Sequence, residues 1–293
     1  MFYVDQEIAS QPECWRRAAA LAVEHSRALP QPGERVAVVG CGTSWFMAQA
    51  YAALRERAGH GETYASAASE FTTTARRYDR VIAISRSGTT TEVLAALDHL
   101  GSWVPTVAIC ADRESPTVRL AAHSIVLDYA DERSVVQTRF ATTTLALLRT
   151  HLGEDIRAAI ADAESAATGE LPLDPHTVEQ VTFLGRGWTV GLAAEAALKC
   201  REAASMWTEA YPAMEYRHGP ISIAAPGRIV WVLGEVPAGL TAEVGKTGGR
   251  FVHSGLDPLA ELVRVQRFAV AAAVHRGLDP DHPRHLTRSV VLG

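Results

Sequence analysis

The sequence predicts an α/β protein built from two tandem, doubly wound parallel-sheet domains, the second one shortened, and three observations carry that prediction. Apolar runs such as residues 36–39 and 81–84 lack strict polar alternation, as strands do when helices cover both faces of a parallel sheet. These runs take turns with segments of helical period. The pattern then restarts, since Val181-Thr182-Phe183-Leu184-Gly185-Arg186-Gly187-Trp188-Thr189 resembles Val36-Ala37-Val38-Val39-Gly40-Cys41-Gly42-Thr43-Ser44 at an offset of 145 residues, near half of the 293-residue chain. A duplicated domain explains the offset most simply.

In chain order, apolar residues at helical spacing predict a helix over 15–29, stopped by Pro30-Gln31-Pro32-Gly33 before a strand at 36–39. A loop at 40–44 leads into a helix reaching about residue 58, and further strands read at 63–65, 80–85, 104–110 and 124–127. A helix over 93–100, begun by Glu92, lies between the middle two of these. Residues 142–167 are alanine-rich and predict one helix, and the proline- and glycine-bearing stretch 168–175 reads as a linker. The expected domains are therefore residues 1–167 and 168–293. The second contains a strand at 181–184, a helix over 192–207, a strand at 229–233, and a strand at 250–253 running almost directly into a helix over 258–275. A tail follows from 279.

Composition narrows the function classes. With 47% hydrophobic and 21% charged residues the chain is neither disordered nor fibrous. A net charge of -5 without a basic block gives a nucleic-acid partner no electrostatic support. Cys14, Cys41, Cys110 and Cys200 form no C-x-x-C pair, so neither a metal site nor a disulfide framework is expected, and a reducing, cytoplasmic setting fits. Residues 1–12 lack a signal-peptide pattern and no 18-residue apolar run occurs, so no membrane association is expected.

The most informative stretch is Ser85-Arg86-Ser87-Gly88-Thr89-Thr90-Thr91-Glu92. Five hydroxyls and a glycine stand where a strand gives way to a helix, so hydroxyls and free backbone N–H groups can converge on an anion. The bland alternative is a polar turn. Gly40-x-Gly42, with Glu62 about twenty residues on, invites a dinucleotide reading, but Trp45 fills the third glycine position and Thr43 and Ser44 suit a monophosphate better, so no cofactor is expected. The corresponding loop of the second half, after residues 229–233, has no hydroxyl at the cradle position. Glu202 and His218 are the acid–base candidates, with Lys199 one helical turn before Glu202; alone, each would more often be a solvated acid or a structural histidine.

Taken together, Cys41-Gly42-Thr43-Ser44, Ser85-Arg86-Ser87-Gly88-Thr89-Thr90, Ala197-Leu198-Lys199-Cys200-Arg201-Glu202, Glu209-Ala210-Tyr211 and Arg217-His218-Gly219-Pro220 resemble the sugar isomerase (SIS) family. The chain is similar to the isomerase half of glucosamine-6-phosphate synthase, to amino-sugar-phosphate deaminase/isomerases and to fructosamine-6-phosphate deglycases. The resemblance implies flavodoxin-like SIS domains and a hexosamine 6-phosphate held by Cys41, Gly42, Thr43, Ser44, Ser85, Arg86, Ser87 and Thr90. Arg86 stands where glutamine is frequent. A further binding segment matches Val135 and Gln137. Glu202 is implied as the base at carbon 2, Lys199 as its neighbour, and His218 as the ring-opening group, contributed by the other subunit of a homodimer.

Three departures accompany the resemblance. The glutamine-hydrolysing half of the synthase does not precede the sugar-phosphate half here, so glutamine-dependent amination is not expected. Arg288 is implied as a further sugar-phosphate-binding residue, but it stands in the tail where the synthase has an imine-forming lysine, and arginine cannot be that nucleophile. Trp207 replaces a histidine. The expected function is carbon-2 proton abstraction on a 2-amino- or 2-acetamido-hexose 6-phosphate, giving isomerisation and deamination. Dehydration by a lyase, deglycation, and non-catalytic sugar-phosphate sensing are the alternatives.

Overall fold

The computed structural model describes residues 2–72 and 76–292. In chain order the elements are α1 Tyr3–Ala9, α2 Gln11–Glu24, β1 Val36–Gly40, α3 Thr43–Arg57, β2 Thr63–Ala67, β3 Arg80–Ile84, α4 Thr91–Leu100, β4 Thr106–Cys110, α5 Pro116–Leu120 and β5 His123–Val126. There follow α6 Arg139–His151, α7 Arg157–Thr168, β6 Gln180–Gly185, α8 Thr189–Ala204, β7 Trp207–Pro212, β8 Arg228–Leu233, α9 Leu240–Lys246, β9 Arg250–Val252 and α10 Pro258–His275. None of the described helices is long and apolar enough to cross a membrane.

Two parallel sheets result, ordered β2-β1-β3-β4-β5 and β7-β6-β8-β9. The second repeats the order of the first four strands, which is the expected duplicated and shortened α/β fold. Each sheet belongs to its own compact unit, and the units interleave along the chain. The first-sheet unit comprises Glu13–Glu132, Arg139–Ile156 and Thr287–Gly293; the second-sheet unit comprises Met1–Pro12, Arg133–Thr138 and Arg157–Leu286. The expected division after residue 167 therefore separates the sheets in chain order, whereas α1, α7 and the tail are distributed by packing.

Within the first-sheet unit, α4 lays Val93, Leu97 and Leu100 on Ala37, Val39, Val81 and Ala83. Val36 and Val38, on the opposite face by the two-residue pleat, are equally buried, which is why these strands are apolar throughout. In the second-sheet unit, Leu240 and Val244 of α9 pack on Leu184, Val230 and Val232, and Trp231 meets Phe268 of α10 edge to face. Its indole N–H, donating to the buried Glu261 at 2.7 Å, satisfies both groups. Gly40 and Gly185 hold the same place in the two units. A Cβ on Gly40 would meet Ser44 at 2.8 Å and one on Gly185 the Thr189 carbonyl at 2.1 Å, so each strand ends in the one residue that lets the next helix start against it.

Several expected elements change. The helix over 142–167 is two, α6 and α7, because the chain turns at Gly153 (φ +87°) after α6 closes on Leu148, Arg149 and Thr150. The helix over 192–207 starts at Thr189 and ends at Ala204, where Ser205 adopts a left-handed conformation (φ 51°), so Trp207 opens a strand. The helix over 15–29 is shifted to Gln11–Glu24 and preceded by α1, whose first backbone N–H groups, those of Tyr3 and Val4, donate to Asp281 at 2.8 and 2.9 Å. α9 was not expected.

Candidate active site

In the first sheet the crossovers run one way from β1 to β2 and the other way from β3 to β4, so the switch point lies between β1 and β3. Ligands of open α/β sheets bind there, outside the carboxyl ends of the strands. Both hydroxyl loops stand at this place, since β1 and β3 are paired neighbours through Val39 and Ala83. Gly42 turns the chain (φ 52°) so that α3 begins at Thr43, and Thr43 and Ser44 are buried at its start. In the second loop Ser85 Oγ lies 3.2 Å from Thr90 Oγ1 and accepts the Gly88 N–H at 3.1 Å, while Thr90 immediately precedes α4. Gly88 has φ +63°, and a Cβ there would fall 2.2 Å from Ser115 Oγ, so the loop can lie close against its neighbour only without a side chain. Two clefts of about 640 Å³ lie at the opposite, amino edge around Arg35, Tyr64 and Arg76 to Tyr78, away from these hydroxyls. A cleft of about 450 Å³ adjoins Ser87, Thr89 and Ser289.

Charge around the loops is arranged from below. Arg86 is 1% exposed and faces the fully buried Glu132 at 3.6 Å. Burial pulls the Arg86 pKa below the usual guanidinium range, and the Glu132 carboxylate opposes that shift. Its Nη2 donates to the Arg288 carbonyl at 2.8 Å. Cys41 is half-buried, and burial together with the Glu92 carboxylate pushes its thiol up, so it serves as a neutral group rather than a thiolate. The Arg288 guanidinium donates to the Glu132 carbonyl and to Asp131 Oδ1, the latter at 2.5 Å.

The second-sheet unit carries the titratable cluster. Glu195, Lys199 and Glu202 lie at i, i+4 and i+7 on α8 and share a face. Lys199 Nζ is buried between Glu195 Oε1 at 3.4 Å and Glu202 Oε2, which is closer still. Glu202 keeps 19% of its side chain exposed and lines a cleft of about 200 Å³ with Ser205, Asp279, His282 and Arg284. Glu195 was missed in the sequence, although its four-residue spacing before Lys199 is a readable signal.

His218 is exposed on the turn Glu215–His218 that follows β7. Buried Tyr216 and the bonds of Arg217 to Glu243 and to the Ala238 carbonyl, both 2.6 Å, fix this turn. Glu202 sits in the last turn of α8, which runs back along the sheet and therefore ends at its amino edge. His218 follows the carboxyl end of β7. A six-residue strand is about 20 Å long, so the unit does not bring Glu202 and His218 together. Trp207, the first residue of β7, is 77% exposed. Val135 and Gln137 belong to the same unit, where the Val135 N–H donates to the Asp281 carbonyl at 3.0 Å and Gln137 Oε1 is buried without a hydrogen-bond partner among the described residues.

The family model of the SIS domain matches residues 31–152, the stretch that carries the first sheet and both hydroxyl loops. Residues 31–152 are thus similar to the SIS domain. Isomerizing glutamine–fructose-6-phosphate aminotransferase of Sulfurisphaera tokodaii is 29% identical over 88% of this chain and 50% of its own length. Its counterpart in Pseudomonas aeruginosa is 28% identical over 98% of this chain and 58% of its own. The chain thus spans about half the length of the curated relatives it matches. The crystal structure of glucosamine-6-phosphate deaminase from Thermotoga maritima superposes with a TM-score of 0.83 at 25% identity, covering 99% of this chain and 100% of that one. The C-terminal domain of the aminotransferase from Francisella tularensis shares the fold, with a TM-score of 0.81 at 21% identity over 97% of this chain and 98% of that one.

Proposed function

We propose that this SIS protein is a phosphosugar enzyme that binds a 2-amino-hexose 6-phosphate by its phosphate at the first switch point and removes the carbon-2 proton with Glu202. The observation that carries the reading is the buried Glu195–Lys199–Glu202 cluster with Glu202 alone reaching a cleft. Burying a lysine between two carboxylates is costly and is retained where the charges do chemistry. Glu202 takes the proton from carbon 2 of the open-chain sugar as the electron pair forms a carbon 1–carbon 2 double bond and the carbon-1 carbonyl oxygen takes up a proton; return of a proton to carbon 1, with loss of one from nitrogen, leaves an imine at carbon 2. Water hydrolyses that imine, releasing ammonia and a ketose 6-phosphate. The whole-chain similarity to a glucosamine-6-phosphate deaminase supports the deaminating branch.

The separation of Glu202 from His218 supports a homodimer in which His218 of the partner subunit opens the sugar ring. Arg288, held on Asp131 and the Glu132 carbonyl, offers no amine for an imine route.

The test is incubation with glucosamine 6-phosphate and N-acetylglucosamine 6-phosphate in deuterated water, followed by NMR. Deuterium at carbon 1 or 2 with ammonia release is expected for the first sugar and is lost in Glu202→Gln. An unsaturated product from the acetylated sugar would move the reading to a lyase. Tight binding of both sugars with no change in either would replace it by a sensor.

A further inference from the structure

We propose that the cleft of about 640 Å³ at the amino edge of the first sheet, lined by Trp103, Arg76 and Arg77, is a second ligand site, and that its ligand joins a flat aromatic ring to a phosphate or a carboxylate. The site stands at the edge of the sheet remote from the hydroxyl loops and does not depend on the phosphosugar reading. Its floor belongs to the core: buried Leu100 is part of the cluster under α4, and Tyr78 and Val104 pack against that cluster while also lining the cleft. Beside this floor stands Trp103, which is 90% exposed, more than any other large apolar residue among the described ones. Its backbone is nevertheless held. The Trp103 N–H donates to the Leu100 carbonyl at 3.1 Å and the Gly101 N–H to the Leu97 carbonyl at 3.0 Å, so the end of α4 fixes the backbone of a tryptophan whose side chain stays in water.

Charge defines the other half of the ligand. Arg76, Arg77 and His99 line the cleft, and no carboxylate is among the described residues that line it. The adjoining cleft shares Arg76, Arg77 and Tyr78 but contains Glu56 and Glu62 and lacks Trp103, so only one of the two combines positive charge with an exposed ring. The Arg76 guanidinium lies 4.1 Å from the centre of the Tyr64 ring, a contact with the ring face that consumes none of its N–H donors. In a chain of net charge -5 this is a local concentration of positive charge. Exposed guanidinium groups hold a bare anion weakly in water, and an uncharged ring gains only the indole face. A ligand carrying both features stacks on Trp103 and sets its anionic oxygens on the guanidinium donors at once. The volume is that of an ordinary small-molecule site.

Calorimetry on the full chain tests this with two probes that carry the same chemistry from different sources, adenosine 5′-monophosphate and indole-3-acetate. Their separate halves, adenosine, ribose 5-phosphate, indole and acetate, serve as controls, and each titration is repeated with saturating glucosamine 6-phosphate. At least one probe should bind about tenfold more tightly than either of its halves, and Trp103→Ala and Arg77→Ala should each weaken it by about tenfold. Trp103→Phe, which keeps a ring, should recover part of the affinity, and high salt should lower it. Binding of one probe alone supports the site and assigns its ligand to the nucleotides or to the aromatic carboxylates. No binding of either probe at millimolar concentration, full affinity in Trp103→Ala, or displacement by glucosamine 6-phosphate would each overturn the proposal. A chain that ignores glucosamine 6-phosphate yet binds a probe through Trp103 loses the phosphosugar reading and keeps this site.

Discussion

The two switch points of this chain share a backbone and differ in chemistry. Between β1 and β3 stand Thr43, Ser44, Ser85, Ser87, Thr89 and Thr90 over the buried Arg86–Glu132 pair. Between β6 and β8 the loop after Leu233 has no hydroxyl, Thr189 Oγ1 turns back to the Arg186 N–H at 2.8 Å, and an exposed Arg186–Glu235 pair at 2.5 Å spans the place. Strand order, glycine-ended first strands and helix starts are alike. A crevice at a switch point is therefore an opportunity for anion binding, and only the first is lined with hydroxyls over a buried cation, which is what the proposed phosphate site requires. The second copy, without the hydroxyl loop, carries instead the Glu195–Lys199–Glu202 cluster.

The sharpest contrast is energetic. Glu132→Gln leaves Arg86 buried opposite a neutral group and should destabilise the fold by about 3 to 5 kcal/mol, whereas Glu235→Gln at the exposed pair should cost less than about 1 kcal/mol; urea unfolding of both variants measures the difference, and equal costs would erase it. Next in size, Glu202→Gln should lower turnover roughly 10² to 10³ fold while glucosamine 6-phosphate still binds. Turnover near wild type would remove chemistry from the second unit.

A Ser85→Ala/Thr90→Ala variant should weaken the phosphorylated sugar by about 10 to 100 fold and leave the unphosphorylated one unchanged, and Arg186→Ala should alter neither. Equal losses for both sugars would break the assignment of the anion site to the first switch point. The smallest effect concerns pH. Burial lowers the pKa of His151 below its ordinary 6.5, and His123 is lowered by burial and by His25, whose Nδ1 is 3.0 Å from its Nε2. Their folded pKa values lie below the unfolded ones, so the stability they contribute is present above pH 6.5 and is lost as pH falls toward the folded values. Thermal scans should show a melting temperature that drops on acidification below pH 6.5, less steeply in His151→Gln.

Legibility varied with the range of the interaction. The sheet strands of the first unit and α10 were readable because burial on two faces and helical period leave local patterns; α10 begins with Asp257 capping the Leu259 N–H, a local signal as well. β7 was not, because an edge strand with an exposed Trp207 and a closing Pro212 has neither an apolar run nor alternation, and the preceding helix pattern runs into it. The loop hydroxyls were readable as a set. Their partners were not, since Glu132 stands outside any pattern and Ser289 lies in a tail that was read only through Arg288.

By itself the sequence determined the duplicated α/β plan, the place of a hydroxyl-rich loop at a strand-to-helix junction, and the lack of hydroxyls in the matching loop of the second half. Those features reside in neighbouring residues, where backbone geometry and burial repeat every two or 3.6 positions. The tertiary structure alone decided that Lys199 is buried between two acids, that Glu202 and His218 lie at opposite edges of one sheet, and that Ser289 meets Ser87 across 202 positions of chain. Burial depth and long-range pairing follow from how the crossovers return, and no local pattern records that.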